Sequence, residues 1–332
     1  MRLKLLPLIA VYFVFCNIYP QKFYGDSPLA HTYSIVAFDS ITGEMGVAVQ
    51  SHWFSVGSIV AWGEAGVGVI ATQSFVNVSF GMRGLELLKA GLTPQQVVDY
   101  LIQGDDGRDV RQLAVLDARG RVAAWTGKNC IPDAGHIVGK NYSVQANLMK
   151  TSKVWPAMSK AFENSGGPLA ERMIKALEAA ENAGGDIRGS QSACILVVKG
   201  KASGKPWEDR IIDLRVEDNP NAVAEIKRIL KVYRAYEHMN NGDLAVEKGK
   251  MELAMKEYST AEEMFPQNQE MKFWHAVTLA NIGRVEESLP LFREVFLQND
   301  DWRELTSRLP AVGLLNVSDE QLAEIILMRG NK

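Results

Sequence analysis

Hydroxyl, carboxamide and guanidinium groups recur inside otherwise apolar, β-like runs of this sequence, and these are the residues equipped for chemistry. Thr32 and Ser34 lie in Thr32-Tyr-Ser-Ile-Val-Ala37, Gln50 and Ser51 close a second run, and Gln73 and Ser74 close a third. Gln145 and Asn147 stand in Ser143-Val-Gln-Ala-Asn147, and Asp186, Arg188, Gln191 and Ser192 lead into a further run. A polar group buried without a partner costs about 1–3 kcal/mol. Each such residue taken singly is explained by hydrogen bonding at a strand end; taken together they indicate one polar rim. A hydroxyl can attack a carbonyl, and an amide donor such as Asn147 or Gln73 can steady the resulting oxyanion, a contact worth about 3–4 kcal/mol. Arg188 can hold a carboxylate in bidentate fashion. Asp186 and Arg188 suit a substrate-orienting role and a structural ion pair equally well.

The histidines offer less. His31, His52, His136, His238 and His275 show no metal-ligand spacing, and the chain has no CxxC or HExxH. Neither a metal nor another cofactor is expected. His52 follows Ser51, and neighbours on a strand point to opposite faces, so a direct Ser51–His52 pair is not expected; a contact with Ser55 across a turn stays open. Beyond the leader only Cys130 and Cys194 remain. They are enough for one bridge but not for a disulfide scaffold, and Cys194, in an apolar run, reads as a buried thiol.

Positioning these groups requires strands. Alternating or β-branched runs bounded by turn residues predict strands at 32–39, 45–51, 58–63, 66–73, 112–117, 121–126, 142–149, 192–199 and 209–216. Helical periodicity predicts paired helices at 82–90 with 94–103 and at 153–164 with 168–183. Thr93 is placed to cap the second of these ahead of Pro94. Hairpins interrupted by helix pairs do not suit a parallel βαβ sheet. They suit an α+β fold of two packed antiparallel sheets with helices outside, layered α-β-β-α.

After Val216 the pattern becomes helical throughout, with a helix expected near 222–236. Gly249 recurs as Gly283, Ala254 as Ser288, Tyr258 as Phe292 and Ala261 as Val295, always 34 positions on. Small residues at a helix crossing with aromatics four positions later let two antiparallel helices nest. This stretch, about 234–300, looks like a tetratricopeptide pair. Two units fall short of the three or so that stand alone, so the tail is expected to lean on its flanking helices or on the first domain.

The chain begins differently. Arg2 and Lys4 precede an apolar run at 5–15, followed by Pro20 and Gln21. The run is too short to span a bilayer, which needs about 20 apolar residues, and it reads as a signal peptide of an exported, periplasmic or secreted protein. The expected layout is a leader at 1–23, an α/β domain at 32–232 and a helical domain at 233–332. A net charge of −3 gives no basic surface for nucleic acid.

Several of these strings carry a resemblance. Thr32-Tyr-Ser-Ile-Val-Ala37, Gly66-Val-Gly-Val-Ile-Ala-Thr-Gln73, Ala134-Gly-His136, Val144-Gln-Ala-Asn147, Gly184-Gly-Asp-Ile-Arg-Gly-Ser-Gln-Ser192 and Asp213-Leu-Arg-Val216 resemble the domain-of-unknown-function family 1028, over about 32–230. The resemblance implies an N-terminal-nucleophile (Ntn) hydrolase fold with no settled substrate. Members with a similar tail carry a C-terminal part assigned to peptidoglycan binding, which Asp301-Trp-Arg-Glu-Leu305 is similar to. Ntn hydrolases cleave amides with the side chain of their own first residue, whose α-amine serves as base. An α-amine of pKa about 7.7–8.0 is roughly one-seventh unprotonated at neutral pH. Thr32 opens the first strand at the matching place and is the expected nucleophile, with Asn147, Gln73 and Asp186 assisting and Arg188, His52, Ser51 and Gln191 toward the substrate. It becomes a free terminus only through a cut after His31, whereas export cleavage is expected near 20–23 or after Ala30. The implied activity is hydrolysis of a non-peptide or short-peptide amide. The rival expectation is a catalytically silent envelope module that binds a protein or cell-wall partner through its tail. Flat sandwich domains often pair, so a homodimer is also an expectation.

Overall fold

The computed structural model describes residues 29–328; the apolar run at 5–15 and the expected export site near 20–23 lie outside them. The chain opens with β1 (Leu29–Ala30), β2 (Thr32–Phe38), β3 (Met45–Ser51), β4 (Ala61–Glu64) and β5 (Gly68–Phe75). A helix pair follows, α1 (Ser79–Lys89) and α2 (Pro94–Gln103), then β6 (Arg111–Asp117), β7 (Val122–Thr126), β8 (Gly135–Gly139) and β9 (Tyr142–Ala146). A second pair, α3 (Val154–Glu163) and α4 (Leu169–Asn182), leads to β10 (Ser192–Val198) and β11 (Arg210–Val216). Helices complete the chain: α5 (Ala222–Glu247), α6 (Met251–Met264), α7 (Gln269–Asn281), α8 (Val285–Gln298), α9 (Asp301–Arg308) and α10 (Asp319–Ile326).

All strand pairing is antiparallel. One sheet runs β1-β5-β6-β7, with β4 on the same edge of β5 as β1; the other runs β11-β10-β3-β2-β9-β8. The alternation of side chains along each strand sorts the interior into separate cores. Val36, Val47, Val49, Val69, Ala71, Ala114, Leu116, Leu196 and Val198 form one core between the two sheets. Tyr33, Ile35, Ala48, Val144 and Ile195 turn the other way and meet α3, α4 and the start of α5. Ile70, Leu113 and Val115 meet α1 and α2.

The expected strands and paired helices are present with shifted ends. β4 starts at Ala61 because Val56–Ser58 form a 3-10 turn, entered through Ser55 at φ 56°. The 142–149 strand stops at Ala146, since Leu148 takes φ 58° and leaves the sheet. Thr93 caps α2 reciprocally with Gln96. β1 and β8 were not expected: β1 has two residues, and β8 is bracketed by glycines.

In the tail, the helix expected near 222–236 continues to Glu247. Its first half, through Leu230, packs on the six-stranded sheet, and Ala235 onward belongs to the helical core with Tyr258 and Met271. Ala254 and Ser288, Tyr258 and Phe292, and Ala261 and Val295 are all buried. Gly249 and Gly283 supply left-handed turns (φ 66° and 81°) before α6 and α8, a backbone shape other residues adopt at a cost. Among the described residues no helix is long and apolar enough to cross a membrane.

Candidate functional site

Thr32, Ser34, Ser51, Ser143, Gln145 and Asn147 share strand parity with the valines that fill the space between the sheets, as do Gln73 and Gln112 across from them. At this end of the sandwich the apolar filling gives way to polar side chains, all buried. Gln50 does not join them. It registers between Tyr33 and Ala193, both on the helix-facing side, and neither of its amide atoms has a partner among the described residues.

Thr32 sits where the chain passes from one sheet to the other. Leu29 and Ala30 pair with Phe75 and Ser74 of β5, whereas Thr32 pairs with Ser51 of β3 in the opposite sheet. His31 is therefore the link between sheets, and its backbone carbonyl lies off both ladders. It accepts from Ser51 Oγ at 2.6 Å and from Arg188 Nη2 at 2.9 Å. The Thr32 hydroxyl donates to the Ala30 carbonyl at 2.7 Å. The Thr32 carbonyl accepts from the Asn147 backbone N–H (3.1 Å), Gln73 Nε2 (3.2 Å) and Asn147 Nδ2 (3.4 Å). Residue 32 is thus anchored from its C-terminal side, with a polarised peptide bond on its N-terminal side.

Arg188 is oriented by Asp186, whose side chain is fully buried: Nε donates to Oδ1 at 3.0 Å and Nη2 to Oδ2 at 2.7 Å. Both the ion pair and a further contact toward Thr32 are therefore present in one side chain. The His31 ring is held as firmly. Asn147 Nδ2 donates to Gln112 Oε1 (2.9 Å) as well as to Thr32, which turns Asn147 Oδ1 toward His31 Nδ1 at 2.8 Å and makes that nitrogen the donor. The imidazole also meets Phe75 edge-on, with centroids 5.5 Å apart. Burial pushes the His31 pKa below its ordinary 6.5, the Asn147 bond opposing that shift in part.

Behind Thr32 the amides form a continuous network. Gln73 Nε2 donates to Gln112 Oε1 at 2.7 Å, and Ser34 Oγ donates to Gln73 Oε1 at 2.6 Å. Gln145 Nε2 reaches Ser34 Oγ at 2.5 Å. Gln112 Nε2 reaches Thr126 Oγ1 (2.9 Å) and the Ala146 carbonyl (2.9 Å), and Thr126 in turn bonds His136 Nδ1 (2.8 Å). Two non-glycine residues with positive φ flank the cluster, Ser74 at 73° and Leu148 at 58°, a cost of order 1–3 kcal/mol each.

Of the expected residues, Thr32, Ser51, Asn147, Gln73, Asp186 and Arg188 converge. Gln191 does not: its side chain turns to Asp218 Oδ1 at 3.2 Å. His52 lies beside the Gly189 loop, with a buried Nδ1 that has no partner among the described residues. His31 and Gln112 join the cluster although neither stands among the expected site residues. The signal for Gln112 was available: it is a polar residue near the start of β6, ahead of an apolar run, as Gln73 is near the end of β5. Among the described residues Cys130 and Cys194 are unpaired, both are buried, and burial pushes the Cys194 thiol up to about 12. An open cavity of about 540 Å³ reaches Thr126 from the side of Lys128, Asp133 and Trp155. A more apolar cavity of about 510 Å³ lies among Ile174, Leu230 and Met264 and touches none of these groups.

The family of unknown function DUF1028 matches residues 32–226, more than half of the chain. The chain belongs to that family. The DUF1028 segment opens at Thr32 and closes in the part of α5 that packs on the sheet; β1 and the remaining helices lie outside it. The crystal structure of a DUF1028 protein from Silicibacter pomeroyi is similar over 61% of this chain and 88% of that one, at 29% identity and a TM-score of 0.55. No curated protein matches the chain.

Proposed function

We propose that the chain is an exported amidohydrolase of the Ntn type, in which Thr32 becomes the first residue and the nucleophile. The observation that carries this reading is the grip of Ser51 Oγ and Arg188 Nη2 on the His31 carbonyl, the carbonyl joined to Thr32 itself. Two donors on one carbonyl oxygen are the arrangement that stabilises an oxyanion. The α-β-β-α layer order and the start of the family match at Thr32 support the same reading.

A cut between His31 and Thr32, by a protease or by the chain, frees the Thr32 amine. Thr32 Oγ1 then adds to the carbonyl carbon of a bound amide, and its proton passes to the α-amine. The oxyanion lies between Ser51 and Arg188, while Asp186 holds the guanidinium in place. As the intermediate collapses the C–N bond breaks, and the α-ammonium returns the proton to the leaving nitrogen. Water then cleaves the acyl ester, releasing the acid and restoring the hydroxyl. Gln73 and Asn147, which hold the Thr32 carbonyl, position the nucleophile in this scheme.

N-terminal sequencing and intact-mass measurement of exported protein test the proposal, together with Thr32→Ala. The expected result is a chain beginning at Thr32 whose amidase activity the variant loses while keeping its circular dichroism spectrum. Mature protein that retains its bond to His31, or undiminished turnover by Thr32→Ala, removes the mechanism.

A second reading rests on Thr32 being fully buried beneath Leu29–His31 in the uncut chain. If that bond persists, the protein is a silent envelope module. The helical tail, read as a tetratricopeptide-like pair from the matched burial of its 34-spaced positions, then binds a protein or cell-wall partner.

A further inference from the structure

The three residues ahead of Thr32 are seated as a ligand would be. Leu29 and Ala30 extend antiparallel along β5, against Phe75 and Ser74, on the edge that β4 occupies only as far as Ala71. Ala30 is fully buried among the valines and alanines of the core between the sheets. His31 presents its ring to Phe75 and its Nδ1–H to Asn147, with its carbonyl between Ser51 and Arg188.

Removing this segment leaves an unpaired strand edge, an acceptor on Asn147 without its donor, a ring-sized gap beside Phe75 and a methyl-sized gap beyond it. We propose, resting on the amidohydrolase reading above, that this vacated slot is the acyl-side subsite of the mature enzyme and takes a short extended peptide. The peptide pairs with the β5 edge, as extended segments do when they add to a sheet. Its carbonyl-bearing residue carries a flat ring with an N–H donor, histidine above all, and the residue before it is small. Leu29 is only partly buried, so the third position tolerates variation. Asn147 confers the selectivity: its amide is fixed by its bonds to Gln112 and Thr32, so it offers the subsite an acceptor and no donor.

The test uses chains made to begin at position 32 by cleavage of a precisely joined N-terminal fusion, one wild type and one carrying Thr32→Ala. Isothermal titration of the Thr32→Ala chain with N-acetyl-Leu-Ala-His amide is expected to show saturable binding. Replacing the peptide's histidine by alanine, or its alanine by phenylalanine, weakens that binding by about tenfold or more, as loss of a buried hydrogen bond or a steric clash requires. No binding, or equal affinity for all three peptides, overturns the proposal. The wild-type chain is assayed in parallel with the p-nitroanilide of N-acetyl-Leu-Ala-His. Peptide binding without turnover sinks the hydrolase reading and leaves the subsite; hydrolysis of amides with no preference for histidine does the reverse. Should the shortened chain fail to fold alone, the same peptides are added during refolding. Rescue by the histidine peptide and not by its alanine counterpart supports the subsite, and rescue by both or neither overturns it.

Discussion

Ser51 is the residue whose placement says most about the chemistry. Its hydroxyl spends its one hydrogen on the His31 carbonyl, although it stands in a strand whose backbone is already paired on both sides. In the proposed mechanism the substrate carbonyl takes that position. Ser51→Ala is therefore expected to lower kcat by about 10²–10³ while KM changes little, because the contact strengthens as the oxygen gains charge. Steady-state kinetics of the processed chain check this; a change confined to KM assigns Ser51 to binding alone. His31, which is buried, and His136, which is half-buried, contribute to the pH response. Burial lowers the pKa of His31 and His136 from 6.5, so below about pH 6.5 the unfolded chain binds protons at these sites that the folded chain does not. Their contribution to stability is complete above pH 6.5 and is lost as pH falls toward the folded-state values. The melting temperature of the uncut chain is expected to drop between pH 7.5 and 5.5, and to drop less in a His31→Gln, His136→Gln double variant.

At the scale of elements, strand parity builds the site. Every second residue of β2, β3, β5, β6 and β9 faces the opposite sheet, and near one end those residues change from valine and alanine to serine, threonine and glutamine. Much of this was readable beforehand, since polar residues interrupting Thr32–Phe38 or Gly68–Phe75 stand out against their neighbours. What parity left open for Gln50 was which face carried the site, and it belongs to the helix side. The helices approach the sheets closely where glycine permits. Gly81 and Gly84 lie one turn apart on α1, and a Cβ on them would overlap Trp62 and Ile70 respectively. Gly84→Val is expected to destabilise the fold by about 1–3 kcal/mol through overpacking. A guanidinium unfolding curve with an unshifted midpoint would show that α1 can move away without cost.

For the whole molecule, α5 decides how separable the tail is. Ala222, Val223, Ile226 and Leu230 complete the core under the six-stranded sheet, and Arg234 pairs with Glu171 of α4 at 2.7 Å. The tail therefore leans on the first domain through one shared helix, as its shortness in repeats had suggested. A chain ending at Asn240 keeps all of these contacts and is expected to fold and, under the proposed function, to keep its amidase activity once processed. A chain ending at Asn221 loses them and is expected to aggregate. Size-exclusion chromatography and circular dichroism distinguish the two, and a folded, monodisperse chain ending at Asn221 would show that the sheet needs no cover from α5.

The linear order of residues determined the strands, the helix pairs and the 34-residue spacing in the tail, because hydrophobic period and turn chemistry are local properties. It also marked Thr32, Ser51, Gln73, Asn147, Asp186 and Arg188 as polar groups needing partners. Only the tertiary structure decided who those partners are, since some of the bonds joining them cross between the sheets, as from Gln73 to Thr32, and others join residues more than a hundred positions apart, as from Arg188 to His31. The pairing of Leu29 and Ala30 with β5 likewise carries no periodic signal in two residues. It exists because β5 runs on past the end of β4, and a passing segment pairs with its backbone there.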